Sequence, residues 1–380
     1  MSGRKITLAL IPIICLVILY LNYDVSSFES KEFSSKDTKE TTVASDKSLP
    51  QMPLSTKAQV VSSGAKKNED FGVFECLPDF TFDEEARMEN ITQHLESLDD
   101  FFSEAAPLYY ALYANPPDDE TRLDLLFEYY DQLPNSPVVS MDLISLCANS
   151  SDKRCTANFI NDAIASDSNN GAIWVGAISF YATKGDDEGV MDSIEALEKA
   201  SLFNERYGEK TLLYAQALEG STSNDFNVNA IAGLGKAAST FPAYSPITRW
   251  CEQGLDEPVQ ANACLTLGKQ LETRSKTLIS KAIGIALQKK VFESEGDTDA
   301  IQLIEKKRRE LTQSPEGGLF KKASIMLLLD ERLLRSWLHN LDFHGELESQ
   351  RLLVEEAEVL YEENENYLCT LIYEILDGFL

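Results

Sequence analysis

The chain has 380 residues, a formal net charge of -28 at pH 7 and an apolar content of 43%. This length allows one large or two ordinary domains, and the apolar content is typical of a globular protein. The strong negative charge argues against nucleic acid as a partner, because phosphates would be repelled without a basic surface.

The first 23 residues predict a membrane anchor. Arg4 and Lys5 precede an uncharged apolar run, residues 6–21, which is close to the length that crosses a bilayer. A cleaved signal peptide is the alternative, but no small residues follow at the spacing that cleavage requires. We therefore expect an uncleaved single-pass anchor, with the body outside the cytoplasm.

The rest of the chain divides into three segments by composition. Residues 24–70 are rich in Ser, Lys, Thr and Glu without a sustained apolar period, which predicts a disordered tether. Residues 71–268 predict a domain of helical hairpins, and residues 269–380 a C-terminal helical bundle. The charge changes at residue 269, because residues 71–268 carry 10 Lys and Arg against 33 Asp and Glu, whereas residues 269–336 carry 14 against 10. Residues 337–380 are acidic again, with 1 against 11.

That basic segment has two interpretations. Opposite charges on packed helices are mildly stabilising, so the run from Lys306 to Arg309 is expected to face the acidic C-terminal helices. Binding of an anionic partner is the alternative.

Periodic apolar positions predict helices throughout the body, and no stretch alternates as a half-buried strand would. Each predicted helix ends near Gly, Pro or a polar turn. The predicted segments are 84–112 as a helix or helix pair, 118–133, 167–204 as a hairpin, 207–220, 225–241, 268–292, 297–311, 324–341 and 346–376.

The central hairpin, residues 167–204, has the clearest pattern. Asn169 or Asn170 can cap the first helix, and Gly185 can end it. Trp174 and Tyr181 lie on one face of that helix with the alanine and isoleucine between them. The hairpin cannot bury this face alone, so neighbouring hairpins are expected to cover it.

This hairpin resembles a tetratricopeptide repeat. The residues that carry the resemblance are Asp167, Asn169, Asn170, Ala172, Trp174, Ala177, Tyr181, Gly185, Glu198, Lys199 and Ala200. The second helix departs from the pattern, since it is about three residues longer than usual and has Gly189 and Val190 where a small alanine-like contact is common. Such repeats imply a non-enzymatic scaffold that binds peptides or proteins along a concave surface.

The anchor and the paired cysteines are also similar to those of uncharacterised membrane-anchored proteins of Gram-negative bacteria, a resemblance that implies no activity. It implies an inner-membrane location with the body in the periplasm. The predicted fold is all-α: an irregular αα-hairpin solenoid, tetratricopeptide-like, with a C-terminal helical bundle and one N-terminal transmembrane helix.

Six cysteines beyond the anchor are candidates for disulfides: Cys76, Cys147, Cys155, Cys251, Cys264 and Cys369. Their even number outside the cytoplasm favours bridges, although six cysteines allow 15 pairings. Local geometry favours Cys147 with Cys155 and Cys251 with Cys264, each across the bend of one hairpin. The remaining two would join the ends of the body. Buried free thiols are the alternative.

Tyrosines supply the candidate partner-binding residues: Tyr109, Tyr110, Tyr113, Tyr129 and Tyr130. They are denser than one inward helix face requires, and tyrosine is favoured at interfaces. Packing in the core is the alternative, because aromatic residues at helical spacing usually face inward.

These patterns predict a non-enzymatic interaction scaffold or assembly factor that binds a protein or peptide and uses no cofactor or metal. A carboxylate-dependent cell-wall hydrolase is one alternative, since carboxylate pairs are frequent in this acidic body. An accessory subunit of an inner-membrane complex, contacted through the anchor itself, is the other.

Overall fold

A computed structural model describes residues 84–98, 105–118, 120–219, 226–311 and 317–363. This part of the chain contains sixteen helices and no strand, which confirms the all-α class. The predicted anchor and tether, together with Cys76 and Cys369, lie outside it. Within the described ranges, no helix has both the length and the apolar character needed to cross a bilayer.

The first eight helices cover the predicted hairpin domain up to residue 217. They are α1 (Glu84–Ser97), α2 (Ala106–Tyr113), α3 (Arg122–Gln132), α4 (Pro137–Cys147), α5 (Ala157–Ala165), α6 (Gly171–Lys184), α7 (Asp187–Lys199) and α8 (Tyr207–Ala217).

The other eight helices reach residue 363. They are α9 (Phe226–Ala238), α10 (Tyr244–Gln253), α11 (Pro258–Arg274), α12 (Leu278–Glu295), α13 (Thr298–Leu311), α14 (Gly317–Leu329), α15 (Glu331–His344) and α16 (Glu346–Glu363).

Helix α6 is the centre of the largest buried cluster. The Asn170 side chain caps its first turn, and Gly185 ends it in the left-handed conformation with φ 69°. The helix contacts α4, α5, α7 and α10, and Ile173, Ile178 and Phe180 are almost fully buried. The sequence predicted one buried face for this helix, whereas neighbouring helices enclose it on most of its sides.

The predicted helix 268–292 is wrong: the chain turns back between α11 and α12 at residues 275–277. Thr277 caps α12 by accepting a hydrogen bond from the Ser280 amide. The two helices pack closely at Gly268 and Gly284, where a Cβ on Gly284 would lie 2.6 Å from the Gly268 carbonyl oxygen. An αα-hairpin with glycines at its crossing thus replaces one long helix.

Two other predicted helix bounds also need correction. The helix predicted at 118–133 begins only at Arg122, because Thr121 and Asp124 form a capping box. The segment predicted as one helix at 324–341 is divided between α14 and α15, since Asp330 accepts hydrogen bonds from Arg332 N and Leu333 N and begins a new helix. In each case a short polar side chain decides the start.

Residue 269, the predicted start of the C-terminal bundle, lies inside α11. Leu271 and Val291 belong to the same buried cluster as Ile178 of α6, so α11 and α12 pack with the central hairpin. Helices α14 and α15 contact α9, and Leu338 of α15 packs with Tyr207 of α8. The change in charge at residue 269 is not accompanied by a break in packing.

Candidate functional site

Two of the predicted cysteine pairs lie at disulfide-bonding distance. The Cα atoms of Cys147 and Cys155 are 5.4 Å apart, and those of Cys251 and Cys264 are 5.7 Å apart. The first pair ties the end of α4 to the loop before α5, and the second ties α10 to α11. Both pairs close short hairpin bends, as their spacing predicts.

The five candidate tyrosines pack in or against one core cluster. Tyr113 is only 8% exposed, and its hydroxyl donates to the Lys210 carbonyl oxygen at 3.0 Å. Tyr130 packs its ring against Phe159, and the other three tyrosines are half-buried against the same cluster. Tyr113 is therefore a core residue, and each of the others presents at most part of its ring to a partner.

A polar groove of about 170 Å³ is lined by residues that neighbour one cysteine of each disulfide in the sequence. We call it the disulfide-flanked groove and define it by six of its lining residues: Asn149, Thr183, Ser245, Arg249, Trp250 and Gln253. Asn149 follows Cys147 by two residues, and Trp250 directly precedes Cys251. One bridge therefore lies next to each wall of the groove.

Arg249 is the distinctive side chain of this groove. It is exposed, and among the arginines whose side chains the structure describes it alone makes no ion pair or hydrogen bond. Helical spacing would suggest Glu252 as its partner, but the carboxylate of Glu252 pairs with Lys290 of α12. The guanidinium is thus free to bind a group from outside the chain.

The part of the groove wall that Trp250 forms is held by hydrogen bonds of this residue. Its indole Nε1 donates to Asp187 Oδ1 at 2.7 Å, and its carbonyl oxygen accepts from Gln260 Nε2 at 2.8 Å. Thr183 on the opposite wall donates to Ser179 O at 2.9 Å. These contacts fix the walls, and the exposed side chains of Asn149, Ser245 and Gln253 have no internal hydrogen bond within the described ranges.

A second polar cluster, which we call the acid junction, consists of Glu205, Asp342 and Glu346. Glu205 accepts from the Lys276 amide at 2.8 Å, and Glu346 accepts from the Leu278 amide at 2.7 Å. Both carboxylates therefore cap the N-terminal end of α12. Carboxylates at helix N-termini satisfy unpaired amides and interact favourably with the helix dipole.

Asp342 has the same role at α8. Its two carboxylate oxygens accept from Gly208 N at 2.8 Å and from Glu209 N at 2.5 Å. The residue retains some surface exposure, whereas Glu205 and Glu346 are 4% and 3% exposed. The acid junction thus joins α8, α12, α15 and α16.

Burial controls the protonation of this cluster. Desolvation, together with the nearby charge of Glu205, raises the pKa of Glu346 to about 7 despite the lowering effect of the Leu278 amide. Desolvation also raises the pKa of Asp342 to about 7 despite its two amide bonds, and it raises the pKa of Glu205. The cause in each case is that burial penalises the charged form.

A buried ion pair lies beside the acid junction. Lys210 Nζ pairs with Asp142 and donates to Thr240 Oγ1 at 2.9 Å, and both charged side chains are 7% exposed. Lys210 and Glu205 line a pocket of about 10 Å³, which is room for about one water molecule. The polar groups of this region are therefore used within the fold.

The basic segment is paired differently from the prediction. Lys307 pairs with Glu272 of α11 at 2.7 Å, and Lys306 pairs with Glu310 of its own helix at 3.6 Å. Lys289 of α12 pairs with Glu305 of α13. The ion pairs of Lys306 and Lys307 therefore stabilise the α11–α13 region and do not join it to the acidic C-terminal helices.

Comparison with protein-family models, with curated proteins and with solved structures yields no match to this chain. The function must therefore be argued from the two polar clusters. The sequence did not predict the disulfide-flanked groove, because its walls come from three separate segments. Glu252 also lies at helical spacing from Arg249, which suggests an ion pair that the structure does not form. The one usable signal was the placement of an arginine next to a predicted disulfide, at Arg249-Trp250-Cys251.

Proposed function

We propose that this protein is a membrane-anchored, periplasmic and non-enzymatic scaffold that binds a protein or peptide partner. The observation that carries the proposal is the disulfide-flanked groove, a polar surface whose two walls each lie beside a bridge. Bridges across short bends restrict the unfolded chain, and they form and persist in an oxidising compartment. A surface held in this way is pre-organised for a partner, which reduces the ordering cost of binding.

The sequence resemblance of the central hairpin to a tetratricopeptide repeat is consistent with the same function. Helices α6 and α7 form the predicted αα-hairpin with Asn170 at its start and Gly185 at its bend. In such scaffolds, stacked hairpins provide the binding surface and the loops between them vary. The predicted anchor at residues 1–23 and the tether at 24–70 complete the proposal, since they would keep this surface near the membrane.

The acid junction supports a structural role and not hydrolysis. Its three carboxylates accept hydrogen bonds from main-chain amides of α8 and α12, and the pocket beside Glu205 has room for about one water. A glycan-cleaving carboxylate pair must instead flank a bound sugar.

Site-specific photocrosslinking in the native membrane tests the scaffold. A photoreactive phenylalanine analogue placed at the exposed groove positions Ser245 or Gln253 is expected to give discrete adducts with one partner. The matched control is the same analogue at Val259, which is 72% exposed on α11 and does not line the groove.

Adducts from Ser245 and Gln253 that are missing from Val259 would support the proposal, and mass spectrometry would identify the partner. Equal adducts from all three positions, or none from the groove positions, would contradict it.

A further inference from the structure

The disulfide-flanked groove has the chemistry of a site for a single carboxylate. Arg249 offers a planar guanidinium fork that is not paired within the described chain, and such forks bind carboxylates through two parallel hydrogen bonds. Arg249 is therefore a positive charge that lines a groove and has no partner within the described chain. A ligand that supplies the missing anion provides one.

The other groove residues suit a peptide main chain. Asn149 and Gln253 each carry a side-chain amide that both donates and accepts, and Ser245 carries a hydroxyl that does the same. Trp250, together with Ala182 and Pro246, adds an apolar part to the wall. A volume of about 170 Å³ holds several waters, so it fits one or two residues of a peptide.

Arg249 is the one charged residue among the described residues that line the groove, so the groove matches a ligand group with a single negative charge. Asp187 does not line the groove, but it accepts from the Trp250 indole, and Glu188 follows it in the first turn of α7. A strongly acidic segment would be repelled by these groups, because like charges raise the free energy of the complex. The end of a polypeptide has one carboxylate and otherwise neutral amides.

We propose that the disulfide-flanked groove binds the terminal carboxylate of a partner polypeptide and that Arg249 pairs with that carboxylate. This inference rests on the proposed scaffold function, since it names the part of the partner that the groove recognises. An internal Asp or Glu side chain would present the same chemical group, so the experiment must separate the two sources.

The test uses the full chain with its disulfides intact and 5-fluorotryptophan in place of tryptophan, so that the ¹⁹F resonance of Trp250 reports on the groove. Trp250→Phe assigns that resonance. The probes are three equimolar mixtures of N-acetylated tripeptides: one with a free terminal carboxylate, one with a terminal amide, and one with a terminal amide and Asp in the middle.

The free-acid mixture is expected to shift the Trp250 resonance in a saturable way, the amide mixture to leave it unchanged, and the Asp mixture to bind more weakly. Arg249→Gln should weaken binding at least about ten-fold, since it removes a charge-assisted pair. Lys269→Gln is the matched control, because it removes an exposed and unpaired positive charge on α11 outside the groove. It should leave the affinity within about two-fold, as expected for a distant surface charge.

Three results would overturn the inference: equal binding of the acid and amide mixtures, no effect of Arg249→Gln, or no shift with any mixture. Equal binding of the Asp mixture would overturn the assignment to the chain terminus. If these results occurred while Ser245 and Gln253 still gave specific photocrosslinks, the carboxylate inference alone would fail. Loss of the photocrosslinks would remove the scaffold function itself.

Discussion

The disulfide-flanked groove and the acid junction are both polar, but they use their polar groups in opposite ways. In the acid junction, Glu205, Asp342 and Glu346 are bonded to amides of other helices. In the groove, Arg249 is exposed and has no partner within the described ranges.

The difference separates folding from binding. Buried polar groups must be satisfied within the protein, because an unpaired buried group costs about 1 to 3 kcal/mol. Exposed polar groups in a concave surface have no such requirement and remain available to a ligand. Substitutions in the acid-junction region are therefore expected to change stability, and substitutions in the groove to change binding.

The largest effect is expected from Lys210→Met. This change leaves Asp142 buried without its partner, and breaking one side of a buried pair typically costs about 3 to 5 kcal/mol. Chemical denaturation measures it, with Lys269→Met as the exposed control. The double variant Lys210→Met with Asp142→Leu should regain much of the loss. A loss below about 1 kcal/mol for Lys210→Met would show that the pair is not structural.

The pH dependence of stability is the next effect. The folded-state pKa of Glu346 and of Asp342 is raised to about 7, above the values near 4 of an unfolded chain. The folded state therefore binds more protons between those values. The resulting stabilisation is complete below about pH 4 and is lost as the pH rises through about 7. We expect the free energy of unfolding to fall by about 2 to 4 kcal/mol between pH 5 and pH 8.

Glu346→Gln tests this origin directly. The amide oxygen can still accept from Leu278 N, but it does not ionise, so the variant should lose part of the pH dependence and exceed the parent protein in stability at pH 8. Glu358→Gln, an exposed change on the same helix, is the control. A stability that rises between pH 5 and pH 8, or an unchanged profile in Glu346→Gln, would refute the assignment.

Removal of one disulfide should have an effect of similar or slightly smaller size. The bridges close sequence separations of 8 and 13 residues, for which loop entropy predicts about 2.5 to 3 kcal/mol each. Replacing Cys147 and Cys155, or Cys251 and Cys264, by serine should lower the free energy of unfolding by that amount. Each variant should also weaken peptide binding in the groove. The parent protein under reducing conditions serves as the comparison for both variants.

If the two serine variants bound the free-acid peptides as well as the parent protein does, the bridges would have no part in shaping the groove.

The smallest effect on stability is expected for Arg249→Gln. Its guanidinium is exposed and unpaired within the described chain, so the free energy of unfolding should change by less than about 0.5 kcal/mol. Equilibrium denaturation in urea checks this expectation. A loss above about 1 kcal/mol would assign Arg249 a structural role and remove the contrast with the acid junction.

Local features of the fold were accessible from the sequence. The hairpin of α6 and α7, with Asn170 before it and Gly185 at its bend, follows from contacts between residues only a few positions apart. The bridge between Cys147 and Cys155 also closes a short bend, so spacing sufficed to predict it. Interactions of this kind depend on chain geometry alone.

The division of 268–292 into two helices and the start of α15 at Asp330 were not predicted, because polar caps competed with an apolar period that continued through them. The five tyrosines were predicted as a group, but only packing showed that Tyr113 is buried.

The sequence by itself determined the all-α class, the central hairpin and the two short bridges, since each depends on residues near one another along the chain. Only the tertiary structure decided which polar groups are satisfied. Glu205 meets the start of α12 about seventy residues later, and Arg249 stays unpaired because Glu252 turns to Lys290. These outcomes depend on how helices that are distant in the sequence pack together, and no local sequence pattern predicts this packing.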